Sequence, residues 1–204
     1  MKKLCAILSG GADDTLQGIE QADFIIACDK GYAYAKAAGI RPDLLVGDFD
    51  SYDGPIPTDV PRLDLPVEKD DTDTMAAVRW AVNEGFSALR LYCALGGRLD
   101  HLMGNIQAAS FAVSHGLRAE ILGENTKMYL FSGGSITLPP HPGFSISVLS
   151  LSDRCEGVSI TGAKYPLQNV TVTNTFPVGI SNEWEGDITI SAARGILLVI
   201  SAKK

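Results

Sequence analysis

Residues 1–124 alternate short apolar runs with helical patterns, and this alternation constrains the fold more than any other feature. The apolar runs have the length of strands and are apolar nearly throughout, which is typical of strands covered on both faces. They lie at residues 4–8, 24–28, 44–46, 89–94 and 120–122. Helical patterns are predicted between them, at residues 32–38, 74–84 and 102–114. The series predicts an α/β N-terminal domain with a mainly parallel sheet, in a Rossmann-like three-layer arrangement.

Residues 125–204 have a different pattern of apolar residues. Their apolar runs are short, often alternate with polar residues, and are rich in Val, Ile and Thr. Glycine and proline punctuate them at regular spacing, which is typical of antiparallel strands joined by turns. Strands are predicted at residues 127–132, 135–138, 144–151, 158–161, 170–173, 187–191 and 196–201. The second domain is therefore predicted to be a small antiparallel β-sandwich.

Composition narrows the function. The chain is 46% apolar and 20% charged, which suffices for a core, and its net charge is −7. An acidic chain is a poor general binder of nucleic acid, but one metal ion and a few cations can neutralise a nucleotide. We expect no membrane-spanning segment. The four cysteines are far apart and lie mostly in apolar runs, so we expect buried, reduced thiols in a cytoplasmic protein.

Loops rich in glycine and charge follow several predicted strands. In an open α/β sheet, ligands bind beyond the carboxyl ends of the strands. Each loop alone is explained by turn chemistry, because turns favour Gly and Asp. Together they predict a single crevice at one edge of the sheet. The loops are 9–11, 29–31, 47–51 and 95–98.

Acidic residues are concentrated at this edge. Asp48 and Asp50 flank Phe49, and in an extended segment their carboxylates would point the same way while Phe49 turns inward. Two like charges held close together call for a cation, and oxygen ligands suit Mg²⁺ bound together with a phosphate. The pattern predicts metal-assisted phosphate chemistry. A surface turn capped by Ser51 is the alternative.

A second acidic stretch, residues 68–73, precedes a predicted helix. Asp71, Thr72 and Asp73 suit a helix N-terminus, where side-chain oxygens cap backbone N–H groups. The helix N-terminus accounts for one or two of these acidic residues. Lys69 and the remaining acidic residue are then free to face a phosphate and its metal ion. A solvated surface is the alternative reading of such a run.

Residues 96–101 read Gly-Gly-Arg-Leu-Asp-His and open the next predicted helix. The guanidinium of Arg98 offers a planar fork for phosphate oxygens. Asp100 and His101 would begin a helix whose N-terminus can face an anion. A lone histidine is more often structural than catalytic.

An aromatic residue in a polar segment marks the second half. Trp184 lies within residues 179–186, which read as a hairpin-like loop. Such a residue suits a flat heteroaromatic or cationic ligand through stacking. Packing of Trp184 over a neighbouring strand is the alternative, and the residues alone favour it.

Taken together and in this order, these motifs resemble the thiamine pyrophosphokinase family, in particular its bacterial form. The resemblance covers essentially the whole chain. It implies a homodimer that uses ATP and Mg²⁺ to transfer a pyrophosphoryl group to the hydroxyl of thiamine, giving thiamine diphosphate and AMP. The motifs that carry it are residues 29–31, 42–51, 69–73, 96–101 with Asn105, 181–184 and 195–199.

The resemblance also implies roles for individual residues. Mg²⁺ is expected at Asp48, Asp50 and Asp73, and the proton of the thiamine hydroxyl is expected to pass to Asp71 or Asp100. Thiamine is expected at Ser181, Asn182 and Trp184, with Trp184 stacking on it across the dimer interface. The nucleotide is expected at Asp29, Lys69, Thr72, Arg98, Asp100, His101 and Asn105. One departure is Lys30, where many relatives carry a small residue.

Two other functions fit part of this pattern. A related diphosphokinase acting on a pterin alcohol would share the acidic edge but has no need of the segment from Ser181 to Trp184. A nucleotide- or metal-sensing module without turnover has no need of several metal carboxylates together with Arg98.

Overall fold

The computed structural model describes residues 3–12, 14–49, 52, 54–65 and 71–204. The chain divides into two compact units, residues 1–124 and 125–204. Each unit has its own strands and its own buried residues, and each is described by itself below.

The first unit is built on a sheet whose strands run parallel. In spatial order the strands are β4, β3, β2, β1, β5 and β6, and each neighbouring pair is parallel. The parallel pairing predicted for this half is therefore confirmed. Strand β4 was not predicted, because three residues with largely exposed side chains give no apolar pattern. The bounds are β1 Leu4–Leu8, β2 Phe24–Cys28, β3 Leu44–Gly47, β4 Arg62–Asp64, β5 Ala88–Tyr92 and β6 Arg118–Leu122.

Three helices of the first unit correspond to the predicted ones. They are α1 Gly31–Ala37, α2 Asp73–Asn83 and α3 Leu99–Ser114. Each is followed closely by a glycine with positive φ, namely Gly39, Gly85 and Gly116, which lets the chain leave the helix without strain. Helix α3 begins at Leu99 rather than at the predicted residue 102, because its first turn is polar and lacks the apolar periodicity.

Helices cover both faces of this sheet. Ala35 of α1 packs in one cluster with Ala6 and Leu8 of β1. Trp80 of α2 stacks on Phe24, with ring centroids 5.0 Å apart and planes at 26°. Phe24 is paired with Cys5, which alternates with Ala6 along β1 and so faces the opposite side. Burial on both sides is the reason why these strands are apolar nearly throughout.

The second unit is an antiparallel sheet organised around one long strand. Strand β12 pairs with β7 along most of its length, with β9 through its first half and with β8 through its second half. Strand β10 extends the sheet beyond β9, and β11 extends it beyond β8. The bounds are β7 Thr126–Leu138, β8 Phe144–Ser150, β9 Arg154–Ala163, β10 Leu167–Thr173, β11 Gly179–Asn182 and β12 Trp184–Lys203.

Three predictions for this unit are wrong. Residues 127–132 and 135–138 belong to one strand, β7, and residues 187–191 and 196–201 belong to one strand, β12. The glycines between them are bends inside continuous strands, and the pairing of β12 with β7 shifts register between Ala192 and Ile196. Residues 179–186 do not form a loop, because β11 and the start of β12 occupy them.

The core of the second unit shows that this sheet folds on itself. Ile188 and Ile190 precede the bend at Gly195, Leu197 and Val199 follow it, and all four are buried in one cluster. Residues of β8 and β9 complete the same cluster, namely Ile146, Val148, Val158 and Ile160. The predicted antiparallel layers are thus parts of one folded sheet rather than two separate sheets.

Two further observations concern the whole described chain. All four cysteines lie within it as buried thiols, as predicted. Among the helices of the described residues, none is both long enough and apolar enough to cross a membrane.

Candidate functional site

A cleft of about 290 Å³ lies at the carboxyl edge of the parallel sheet. The loops after β1, β2 and β5 and the first turns of α2 and α3 all contribute to it, so three of the four predicted loops converge on one crevice. The described residues of the fourth loop, 47–49, are not among those that line it. Five residues expected at the site line the cleft: Asp29, Thr72, Asp73, His101 and Asn105. The other lining residues are Ser9, Gly10, Gly11, Cys28, Thr74, Ala94 and Gly96.

The backbone is strained where three of the strands end. Asp29 after β2, Phe49 after β3 and Cys93 after β5 have φ values of 46°, 61° and 51°, in the left-handed region. Such a residue costs on the order of 1–3 kcal/mol unless it is glycine, and this strain is commonly found at functional sites. The premise of an extended backbone is therefore wrong at Phe49, because this residue turns the chain. Asp50 and Ser51 lie outside the described residues.

The inward orientation of Phe49 is confirmed. Its side chain is 5% exposed and packs with Ala27, Tyr32 and Leu45. The guanidinium of Arg62 lies 4.7 Å from the centre of its ring. Phe49 thus anchors the segment that carries Asp48, which is itself half-buried.

Two carboxylates flank Gly47 at the end of β3. A Cβ on Gly47 would lie 3.3 Å from Asp73 Oδ1 and 3.4 Å from Asp29 Cβ. Asp29 Oδ1 is buried, and no hydrogen-bond donor in the described part of the chain reaches it. Gly47 has φ of 136°, and with no side chain it leaves room for both acids. Both acids line the cleft next to this glycine, so this part of the cleft carries negative charge.

These oxygens fit a hard divalent cation. A buried carboxylate oxygen without a partner costs free energy unless a cation or donor reaches it. Mg²⁺ is commonly held by one or two carboxylates together with substrate phosphates, so Asp29 and Asp73 form a suitable protein half of such a site. Over the described ranges, no three His, Cys, Asp or Glu side chains are grouped as a complete metal site.

The start of α2 is fixed by two hydroxyl groups. Thr72 Oγ1 accepts a hydrogen bond of 3.1 Å from the backbone N–H of Met75, which is the predicted N-cap interaction. Thr74 Oγ1 donates to Ser9 Oγ at 3.0 Å, and both side chains are buried. This pair ties the loop after β1 to the turn that carries Asp73. No local pattern marks Thr74 as a site residue, and turn chemistry alone explains residues 9–11.

Asp71 lies just before this helix but does not line the cleft. Its carboxylate accepts a hydrogen bond of 2.5 Å from Arg79 of α2. Glu68, Lys69 and Asp70, including the cation expected at the nucleotide, lie outside the described residues.

At the start of α3, Arg98 and Asp100 bind each other instead of lining the cleft. Arg98 donates from Nη2 and Nε to the two Asp100 oxygens at 2.5 and 3.1 Å. This hydrogen bonding lowers the pKa of the Asp100 carboxyl from its ordinary value. Both side chains are largely exposed. Arg98 is therefore already engaged by a carboxylate at the position where the sequence predicts a phosphate.

His101 and Asn105 do line the cleft, from successive turns of α3. Asn105 Nδ2 donates to the carbonyl oxygen of Ala94 at 2.8 Å. The side chain of Asn105 thereby holds the loop after β5 against the helix. The amide oxygen and the second N–H of Nδ2 take no part in this bond, so both can contact a ligand.

In the second unit, Trp184 packs against the folded core and also lines a separate cavity of about 210 Å³. Stacking of Trp184 on a ligand and packing of Trp184 over a neighbouring strand are therefore both still supported. The indole Nε1 is buried without a hydrogen-bond acceptor among the described residues, and the same holds for Ser201 Oγ. Ser201 lines the same cavity, and its place at the end of a predicted strand gives no sign of this role. The remaining lining residues are Lys127, Tyr129, Leu138, Pro139, Pro140 and His141.

Ser181 and Asn182 are not among the residues that line this cavity. Asn182 is buried, and its amide accepts from the Tyr165 N–H at 2.9 Å and donates to the Tyr165 carbonyl at 2.7 Å. Ser181 is exposed, with φ of 56°. Asn182 instead lines a small groove with Tyr165, Val178 and Ile180.

Comparison with known proteins gives consistent results. The family model described as thiamin pyrophosphokinase, catalytic domain, matches residues 15–121. The model described as thiamin pyrophosphokinase, vitamin B1 binding domain, matches residues 135–197. A thiamine pyrophosphokinase from Bacillus subtilis (strain 168) is 30% identical over 209 residues, which covers 97% of this chain and 98% of that protein.

Solved structures of similar proteins cover the full length as well. A thiamine pyrophosphokinase from Bacillus subtilis superposes with a TM-score of 0.85 at 27% identity, over 99% of this chain and all of that one. A thiamin pyrophosphokinase from Geobacillus thermodenitrificans gives a TM-score of 0.81 at 28% identity, over 98% of each chain.

Proposed function

The chain belongs to the thiamin pyrophosphokinase family, and from this membership we propose which residues bind each substrate and which take part in the reaction. The reaction is the transfer of the pyrophosphoryl group of ATP to thiamine, giving thiamine diphosphate and AMP. The thiamine hydroxyl oxygen forms a bond to the β-phosphorus of ATP. The bond from the β-phosphorus to the α,β-bridging oxygen breaks, so that AMP leaves with that oxygen.

We propose that ATP binds in the cleft of the first unit. One observation carries this assignment: Asp29, Thr72, Asp73, His101 and Asn105, which are distant in the sequence, line one cleft beyond the carboxyl ends of the strands. The catalytic-domain model matches the same unit. Phosphoryl transfer depends mainly on positioning and on neutralising charge, and a cleft between fixed loops supplies the positioning.

We propose that the Asp29 and Asp73 carboxylates hold Mg²⁺ beside Gly47, with Asp48 at the same strand end. Asp50, which the sequence also assigns to the metal, stays a prediction. Bound there, Mg²⁺ neutralises charge on the transferred phosphate oxygens. The buried Asp29 Oδ1 supports this assignment, because the described protein offers it no hydrogen-bond donor.

We propose that the hydroxyl proton passes to a carboxylate at the rim, Asp71 or Asp100. Each is next in sequence to a residue that lines the cleft, Thr72 and His101 respectively. Each also binds an arginine. The hydrogen bond from Arg98 lowers the pKa of the Asp100 carboxyl, which makes Asp100 a weaker proton acceptor. The base is the residue whose change to asparagine lowers kcat while leaving the KM for both substrates nearly unchanged.

We propose that thiamine binds in the second unit, at Trp184. The vitamin B1 binding model matches this unit. The unpartnered Trp184 Nε1 and Ser201 Oγ support a polar, heteroaromatic ligand, because both groups gain a hydrogen bond when it enters. The family resemblance also places Ser181 and Asn182 at thiamine. Asn182 forms two hydrogen bonds with the backbone of Tyr165 and so fixes that part of the chain.

We propose that two copies associate through the second unit and that the acceptor site lies at their interface. Four large apolar side chains, Tyr165, Phe176, Val178 and Ile180, are 45–68% exposed. Tyr165 and Ile180 line one groove next to Asn182, and Val178 lines it with them. Clustered exposed apolar residues of this kind usually mark a protein interface. A two-fold dimer would bury this patch against its own copy.

We propose that the protein works in the reducing environment of the cytoplasm. The four cysteines support this, since all are buried thiols and none takes part in a disulfide in the described chain. Disulfides are rare in that compartment.

An assay of AMP release with three arms tests the proposed function. Purified chain is given ATP with thiamine and Mg²⁺, the same mixture with EDTA, or ATP and Mg²⁺ with a pterin alcohol in place of thiamine. We expect thiamine diphosphate and AMP in equal amounts in the first arm only. Product from the pterin alcohol alone would establish the related diphosphokinase, and ATP binding without AMP in any arm would establish a binding module.

A further inference from the structure

Lys30 is a cation at the edge of the cleft with no role in the assignments above. It follows Asp29 and precedes α1, and its side chain is exposed. Across the described chain no carboxylate forms an ion pair with its ammonium group. Of the two cations expected at the phosphate, Arg98 forms an ion pair with Asp100, and Lys69 is outside the described residues.

The backbone fixes Lys30 beside the loop after β1. A Cβ on Gly31 would lie 2.9 Å from the carbonyl oxygen of Ser9, so the start of α1 is pressed against this loop. The Cβ of Lys30 lies 3.6 Å from the position that a Cβ on Gly10 would occupy. Gly10 lines the cleft, and Lys30 therefore packs directly behind a residue of the cleft wall.

Tyr34 links the ammonium group of Lys30 to the same loop. Lys30 Nζ lies 5.7 Å from the centre of the Tyr34 ring, one helical turn further along α1. The hydroxyl of Tyr34 donates to the carbonyl oxygen of Gly11 at 2.7 Å, and Gly11 lines the cleft. The ring is thus a platform that holds a positive charge at the rim.

The charge balance of the cleft gives this cation a use. Asp29 and Asp73 line the cleft, and ATP brings several further negative charges to it. A lysine is a compact, flexible point charge that suits a terminal phosphate. We infer that Lys30 binds the triphosphate of ATP at the rim next to Gly10 and Gly11, as a binding residue outside the expected set. This inference rests on the proposed binding of ATP in this cleft.

Steady-state kinetics of three variants tests the inference. Lys30→Met keeps the side-chain stem over Tyr34 and removes only the charge, whereas Lys30→Arg keeps the charge. Lys36→Met is the matched control, since Lys36 is an exposed lysine of the same helix and bonds Tyr52 instead. We expect Lys30→Met to raise the KM for ATP about fivefold, as for a partly exposed ion pair. The KM for thiamine should stay unchanged, and Lys30→Arg and Lys36→Met should resemble the wild type.

Ionic strength provides a second readout that a structural role would not change. Salt screens exposed charges, so the KM for ATP of the wild type should rise with salt more steeply than that of Lys30→Met. An unchanged KM for ATP in Lys30→Met would overturn the inference. So would equal losses in Lys30→Met and Lys30→Arg with lowered melting temperatures, because these indicate a structural role. If the wild type releases no AMP with thiamine, the proposed function fails instead, and binding of ATP to wild type and Lys30→Met still tests Lys30 directly.

Discussion

At the scale of single residues, the site depends on atoms that lack partners and on positions where a side chain is not tolerated. The buried Asp29 Oδ1 and the positive φ of Gly47 belong together, since the missing side chain of Gly47 makes room for Asp29 and Asp73. In the second unit, Trp184 Nε1 and Ser201 Oγ are a similar pair of unsatisfied groups. Buried polar groups are nearly always hydrogen-bonded, so these atoms indicate where ligands are held.

Gly47→Ala tests the pocket between the two carboxylates. The new methyl group would lie 3.3 Å from Asp73 Oδ1, at a φ of 136° that an alanine rarely adopts. We expect kcat/KM to fall about tenfold, because the Asp73 carboxylate must move by a few tenths of an ångström, and a full 1 Å displacement of a catalytic group costs about a hundredfold. Steady-state AMP release measures it.

Gly104→Ala is the control, since Gly104 lies on helix α3 and a Cβ there would have no heavy atom within 4 Å. This variant should keep wild-type activity and gain about 0.5–1 kcal/mol of stability from helix propensity. Wild-type turnover in Gly47→Ala would contradict the assignment of Asp29 and Asp73.

Trp184→Ala tests the thiamine site. Loss of the aromatic face removes stacking with the substrate, so we expect the KM for thiamine to rise at least about tenfold with a modest change in kcat. Trp184→Phe keeps an aromatic face, so its KM for thiamine should lie between those of the wild type and Trp184→Ala. If the KM for ATP rises and that for thiamine does not, the stacking role is wrong.

At the scale of elements, the glycines that looked like turns are bends within strands. Gly195 has φ of 88°, and a Cβ there would lie 2.5 Å from the carbonyl oxygen of Arg154. The bend lets the two halves of β12 pair with different strands, β9 and β8, while both bury side chains in one core. The fold of the second unit therefore depends on the conformation of this residue.

Gly195→Ala should destabilise the second unit by about 1–3 kcal/mol, through the left-handed backbone and the close carbonyl. The chain has two tryptophans, Trp80 and Trp184, one in each unit. Urea unfolding followed by Trp184 fluorescence in a Trp80→Phe background therefore reports on the second unit.

Gly186→Ala is the matched control, because Gly186 also lies in β12 but has open space around it. We expect it to unfold at the same urea concentration as the parent. Equal midpoints for Gly195→Ala and Gly186→Ala would show that the bend needs no glycine.

Much of this element structure was predictable. Strands β1 and β2 coincide with the predicted ranges, and the helices differ by only a few residues. Local apolar periodicity encodes such elements, because each residue reports the burial of its own face. The joined strands β7 and β12 were not predictable from that signal, since a glycine between two apolar runs fits a turn and a bend equally well.

At the scale of the whole molecule, the proposed dimer explains the exposed apolar side chains of the second unit. Phe176 is 68% exposed and Ile180 is 48% exposed. Burial of such side chains contributes about 25 cal/mol per Å² of apolar area removed from water. The same association would complete the acceptor site, so oligomeric state and activity should change together.

The double variant Phe176→Asp with Ile180→Asp tests this connection. Two charges per copy should prevent burial of the patch, so we expect a monomer by light scattering coupled to gel filtration, with greatly reduced thiamine turnover. Thr171→Asp, at an exposed position of β10 outside the patch, is the control and should stay dimeric. A double variant that remains a dimer would place the interface elsewhere.

Local sequence patterns specify the two units, the parallel and antiparallel character of their strands, three loops that form the cleft, and the family. These features follow from short-range periodicity and from motifs that each lie within a few residues. Which polar groups come together depends instead on tertiary packing: Ser9 bonds Thr74, Arg98 bonds Asp100, Asp29 and Asp73 both adjoin Gly47, and Lys30 lies near the ring of Tyr34. Contacts between distant residues depend on strand register and backbone conformation at the strand ends, which local patterns do not specify.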